Sequence, residues 1–140
     1  MADFSTSHRE AHISHRSIAN ARIEHVNLTV SNIHRSASLF KDLCGWDKRW
    51  QGEAINGGTS MHVGSQDAYL ALYSDGGNHS GQPKGRPLNH VGIEVEDLEA
   101  AEQVVRFHGL VPFDHADYEP GRRFYFFDWD GIEFEVVCYQ

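Results

Sequence analysis

The chain has 140 residues, with 20 acidic against 12 basic side chains and a formal net charge of -8, a length that suits one domain with a closed apolar core and excludes a multi-domain machine. Its 40% hydrophobic and 11% aromatic content excludes a wholly disordered or collagen-like chain. The negative balance repels polyphosphate, so neither nucleic acid nor a membrane surface is an expected partner; a small molecule or a second copy of the chain is.

No apolar run is long enough to span a bilayer, and MADFSTSHRE lacks the charged-then-apolar order of a secretory leader, so a cytoplasmic location is expected. Cys44 and Cys138 have neither metal-pair spacing nor a scaffold pattern and are expected to be reduced and packed. The unusual count is ten histidines, because imidazole is the commonest transition-metal ligand.

In chain order, residues 1–21 are polar and read as an N-terminal extension whose His8, His12 and His15 belong to a solvated arm. Beyond it, EHVNLTVSNIHRSASLFKDL (24–43) matches NHVGIEVEDLEAAEQVVRFH (89–108) without a gap, His25 falling on His90 and Leu28 on Ile93. One step out of that offset, DAYLALY (67–73) falls on GIEFEVV (131–137). The first copy reads as a strand over 23–30, a helix near 34–43 ended by Gly45, and strands near 46–53, 59–63 and 68–74. DGGNHSGQPKGRP (75–87) is a linker. The second copy reads as a strand over 88–95, a helix near 98–108 stopped by Gly109, and strands near 111–118, 123–128 and 132–138. The expected fold class is α+β: one domain, 22–140, of two βαβββ modules, 22–74 and 88–138.

Strand side chains alternate, so one face of each sheet packs on a helix and the other is free to carry a site. Val26, Leu28 and Val30 form an apolar row that leaves His25, Asn27 and Thr29 on the concave side; Val91, Ile93 and Val95 likewise leave His90, Gly92 and Glu94. Packing of Ile132, Phe134 and Val136 puts Glu133 and Glu135 on the concave face, and packing of Phe124 and Phe126 puts Arg123, Tyr125 and Phe127 there. Three metal-ligand types, His25, His90 and Glu135, therefore share concave faces. Ala71 matches Glu135 in the first copy and cannot coordinate, so two imidazoles and one carboxylate leave open positions, a donor set that suits one divalent ion of iron, manganese, zinc or nickel. Glu133 is expected at the rim. His62 falls on Phe126 and is expected to face the helix; His34 and His108 lie in helices and His79 in the linker. Asn27, Thr29, Met61, Tyr69, Tyr73 and Trp50 are the expected specificity residues, and Arg123 is placed to meet a substrate carboxylate.

These residues resemble the vicinal oxygen chelate superfamily, which includes glyoxalase I, fosfomycin-resistance proteins, bleomycin-resistance proteins and extradiol ring-cleavage dioxygenases. The likeness covers about 22–138, and its most specific stretch is RFYFFDWDGIEFEVV, with Trp129 where the family turn carries proline. It implies paired βαβββ modules forming a cupped mixed sheet around a divalent metal held by His25, His90 and Glu135. Extradiol dioxygenases place a Tyr ten residues before the ligand Glu, as Tyr125 stands here, and a histidine upstream, for which His115 is the nearest candidate. The implied function is a metal-dependent enzyme acting on a small chelating substrate, leaning to dioxygenase-like chemistry. Alternatives are a glyoxalase-like lyase or isomerase, a fosfomycin-resistance-like transferase and, outside enzymes, a metal-free drug-binding protein of the bleomycin-resistance type. Unpaired strand edges lead to an expected homodimer, and the linker is long enough for the modules to pair either within one chain or between chains; in the second case His25 of one subunit joins His90 and Glu135 of the other.

Overall fold

The computed structural model describes residues 19–54, 57–78, 88–118 and 121–139. Residues 1–18, with His8, His12 and His15, and linker residues 79–87, with His79, lie outside that set. The first module runs β1 (His25–Thr29), α1 (Ile33–Cys44), β2 (Asp47–Glu53), β3 (Thr59–Gly64) and β4 (Tyr69–Ser74). The second runs β5 (Val91–Glu94), α2 (Leu98–Phe107), β6 (Phe113–Tyr118), β7 (Gly121–Phe127) and β8 (Glu133–Cys138). No described helix is long and apolar enough to cross a membrane.

The helices start and stop where local chemistry dictates. Asn32 caps α1 by accepting from the Arg35 N–H at 3.0 Å, and Asp97 caps α2 by accepting from the Ala100 N–H at 3.0 Å; each satisfies an amide that has no partner inside its helix. Gly45 ends α1 at φ 72, a left-handed turn that costs glycine nothing. Helical spacing buries Ile33, Ser36, Leu39, Phe40 and Leu43 of α1, and Leu98, Ala101 and Val105 of α2. Each fully buried large apolar side chain contributes roughly 1.5–3 kcal/mol.

The strands form two four-stranded mixed sheets, in the orders β1-β4-β3-β2 and β5-β8-β7-β6, with β1 parallel to β4 and β5 parallel to β8. The concave face of the first module is thereby set out in cross-strand rows. His25 lies opposite Tyr69, and Tyr69 opposite Gly64; Asn27, Ala71, His62 and Trp50 follow; then Thr29, Tyr73, Ser60 and Gly52. His62 therefore faces the concave side, and Met61 and Val63 face the helix, both buried. This corrects the expectation for His62 and Met61, and turn length is the reason. Val63 pairs with Leu70, whereas its counterpart Phe126 pairs with Phe134 across a turn one residue longer. A single extra residue shifts the repeat offset between the paired strands, and a one-residue shift inverts every face assignment.

Within one chain the modules meet through their helix-covered sides. Phe40 of α1 packs on Phe134 of β8 at 5.2 Å, and buried residues of both modules form one core cluster. At its margin, the Ser31 N–H donates to Asp130 at 3.1 Å and the Ser31 hydroxyl donates to the same carboxylate. Arg35 lies over the Trp129 ring at 4.5 Å, so the residue that replaces the turn proline seats a cation from the other module. His108 joins Asp42 at 2.7 Å. Edge strands β1 and β5 belong to separate sheets and no strand pairing joins them.

Candidate metal centre

Two of the three expected ligands meet in the second module. His90 precedes β5 and Glu135 lies on β8, where it pairs with Gly92 and Tyr125; His90 Nε2 lies 3.0 Å from Glu135 Oε1. His90 Nδ1 is 2.8 Å from Asn89 Oδ1 and 3.7 Å from Glu133 Oε2. An amide oxygen only accepts, so Nδ1–H donates to Asn89, which leaves Nε2 facing the Glu135 carboxylate, able to share a proton with it or, once deprotonated, to offer a lone pair to a metal ion. The other oxygen of Glu135 accepts from Arg123 Nη1 at 2.7 Å. Side-chain exposure is 13% for Glu135, 12% for Arg123 and 7% for Glu133, so the carboxylates are held inside the sheet face. Tyr125 stands edge-on to His90 at 5.8 Å.

The first module repeats half of this arrangement. His25 Nδ1 is bound to Glu24 Oε1 at 2.7 Å, the position that Asn89 takes before His90. In both modules the residue preceding the histidine engages Nδ1 and leaves Nε2 as the outward donor. The hydrogen bond to His25 holds the Glu24 carboxyl below its usual range. Across the sheet, the His25 ring stacks on Tyr69 at 5.0 Å, Tyr69 on His62 at 4.4 Å, and Trp50 leans on His62 at 5.0 Å. A bulge between Lys48 and Trp50 brings the Arg49 guanidinium to 4.5 Å over the Tyr69 ring. Burial first, then the charges of His25 and Arg49, holds His62 below the ordinary imidazole range.

The chemistry of the second-module pair fits a metal ion. Two acceptor atoms 3.0 Å apart repel unless a cation, proton or metal, lies with them, and donors at about 2.1 Å from one ion at a right angle stand about 3.0 Å apart. Their remaining atoms are already fixed by Asn89 and Arg123, the supporting contacts that orient metal ligands. His25 stays with Glu24 and Tyr69 in the first module, and among the described residues no three His, Cys, Asp or Glu side chains gather closely enough to hold an ion.

The remaining expected residues divide by face. Arg123 and Tyr125 are beside the pair, but Arg123 is engaged with Glu135 and so holds a protein carboxylate where a substrate carboxylate was expected. Glu133 is buried and not on the rim. His115 bonds to Glu102 of α2 at 2.6 Å and stacks on buried Phe124, which places it on the helix side of the sheet, across from Glu135. Ala71 is buried between Asn27 and His62. Residue reading missed His62, Arg49 and the role of Asn89 and Glu24. The last two were signalled by an oxygen-bearing residue before each repeat-matched histidine.

The Glyoxalase/Bleomycin resistance protein/Dioxygenase superfamily model matches residues 22–136, and the chain belongs to that superfamily. A glyoxalase/bleomycin resistance protein/dioxygenase domain from Frankia sp. EAN1pec superposes with a TM-score of 0.74 at 22% identity, over 87% of this chain and 100% of that one. The fosfomycin resistance protein FosX from Listeria monocytogenes, solved with Mn(II) and sulfate, gives 0.68 at 13% identity, over 89% and 95%. The glyoxalase family protein from Enterococcus faecalis gives 0.68 at 17%, over 86% and 99%. No curated protein matches the chain significantly.

Proposed function

We propose that the chain is a divalent-metal enzyme of the vicinal oxygen chelate type, its ion held by His25, His90 and Glu135, acting on a small molecule with two neighbouring oxygens. The observation that carries the reading is the 3.0 Å pair of His90 Nε2 and Glu135 Oε1, both oriented by outer partners. His25, with Nδ1 taken by Glu24, is the matching third donor. Because its contacts are all within the first module, the site is completed in a homodimer, with β1 of one subunit along β5 of its partner. Both are edge strands, and each is led by an exposed aliphatic at repeat-matched positions, Ile23 at 78% and Leu88 at 47%; unpaired edges beside apolar surface favour association.

Iron, manganese, zinc and nickel all suit two imidazoles and a carboxylate, and the Mn(II) bound by the structurally similar FosX makes manganese the first to try. A bound ion supplies Lewis acidity at two substrate oxygens. Arg123 holds Glu135 to one outward oxygen, and Asn89 keeps the His90 tautomer. Tyr125, whose ring stands beside His90, would give or take a proton at a substrate oxygen. With His115 on the far side of the sheet, the lean toward dioxygenase-like chemistry rests on Tyr125 alone. A metal-free binding protein is the second reading, favoured by the Arg123–Glu135 ion pair, which satisfies the carboxylate without an ion.

Titration of chelator-stripped protein with Mn(II), followed by electron paramagnetic resonance, tests the proposal. Wild type should bind tightly, and His25→Ala, His90→Ala and Glu135→Ala should each bind more than about tenfold more weakly. Wild-type affinity in any one variant removes that residue from the site. A wild type that takes up no manganese, iron, zinc or nickel supports the metal-free reading. The loaded protein is then assayed on catechols, hemithioacetals and epoxides.

A further inference from the structure

The first-module sheet holds a recess of about 460 Å³ whose walls include Trp50, His62 and Tyr73, with Ser60 among its lining; this lies within the roughly 300–1,000 Å³ common for small-molecule sites. Ser60 is only 8% exposed and lines the recess, on the concave face where it pairs with Tyr73. A hydroxyl can donate to, or accept from, an oxygen-bearing group seated beside it. Two glycines shape the walls. A Cβ on Gly52 would come within 2.8 Å of the Trp50 indole, and one on Gly58 within 2.8 Å of the Tyr73 hydroxyl. Tyr73 is further anchored by donating to the Gly57 carbonyl at 3.2 Å.

The second module carries different side chains at the matched positions. With the offset corrected for turn length, Ser60 corresponds to Arg123 and Tyr73 to Val137, which pair with each other across β7 and β8. The second module fills with a long side chain the position that the first leaves to a small hydroxyl. The geometry points to a binding site for a planar aromatic molecule bearing a hydroxyl or carbonyl oxygen, its ring against Trp50, His62 and Tyr73 and its oxygen on Ser60. Aromatic walls favour a π-face over a saturated ring of equal size. The recess lies on the same concave face as His25 and so names a substrate class for the proposed enzyme, but binding requires first-module residues alone and does not rest on the metal.

Isothermal titration calorimetry of the full chain, kept in chelator, tests it with 2-naphthol, naphthalene and decahydro-2-naphthol. Saturable binding of 2-naphthol is expected, with the decahydro compound weaker by about tenfold. Ser60→Ala should weaken 2-naphthol by about fivefold and leave naphthalene unchanged. Trp50→Ala, and independently Gly52→Ala, which displaces the indole without removing it, should each weaken both aromatic probes by more than about threefold, with circular dichroism reporting retention of the fold. Absence of saturable binding, equal affinity for the saturated ring, or full affinity in the Trp50 and Ser60 variants would overturn the site. Because no metal is present, loss of this binding and failure of the metal centre are separate outcomes.

Discussion

Asp128 opens the turn that links β7 to β8, and its carboxylate accepts the N–H groups of Asp130 at 3.0 Å and Ile132 at 2.8 Å. Burial, with Asp130 nearby adding to it, pushes its pKa up from 3.8 to about 6. A raised carboxyl means that the folded state binds the proton more tightly than the unfolded state. The cost of the charge is therefore absent below about pH 4 and complete above about pH 6, up to about 3 kcal/mol over the interval. Asp128→Asn keeps an acceptor for the turn and removes the charge. Urea midpoints at pH 4.5, 6 and 7.5 should show the variant gaining on wild type as pH rises, and a variant that falls behind at pH 7.5 contradicts the assignment. The alternation of apolar residues made the faces of His25, His90 and Glu135 legible in the sequence, since a two-residue period needs no tertiary information. The Arg123–Glu135 contact was not legible, because it joins side chains on neighbouring strands whose register no local pattern fixes.

At the scale of elements, both helices and all eight strands were legible from caps, glycines and alternation. What failed was the phase of β3 against β4. The repeat match crosses a turn whose length differs between modules, so His62 was assigned to the helix face and Met61 to the concave one. Turn length is a tertiary quantity in this respect, because it is visible only once the pairs Val63–Leu70 and Phe126–Phe134 are known. The close approach at the end of the first hairpin makes a separate prediction. A Cβ on Gly64 would lie 2.5 Å from the Tyr69 Cα, and backbone cannot yield as a flexible side chain can. Gly64→Ala should destabilise by about 1–3 kcal/mol, the range for overpacking. Because Tyr69 stacks on His25, the variant should also weaken manganese binding, measured alongside its chemical denaturation midpoint. Unchanged stability would show that β4 has room to move.

At the scale of the molecule, one chain places its two sheets back to back around a shared core, with Phe40 on Phe134 and Ser31 on Asp130 between modules. The concave faces are left open, which is where the proposed dimer would place its shared site. The arrangement explains how two repeat-matched histidines can belong to one site without meeting in one chain, which is the central claim. Mixing metal-free His25→Ala with metal-free Glu135→Ala, under conditions that allow subunit exchange, tests it most directly. In a heterodimer of these two variants, one site loses both mutated ligands and the other regains all three. Mn(II) titration of the exchanged mixture should therefore recover tight binding at one site of each heterodimer, while each variant alone binds weakly. If exchange is demonstrated and tight binding does not return, the three ligands are not shared across a dimer.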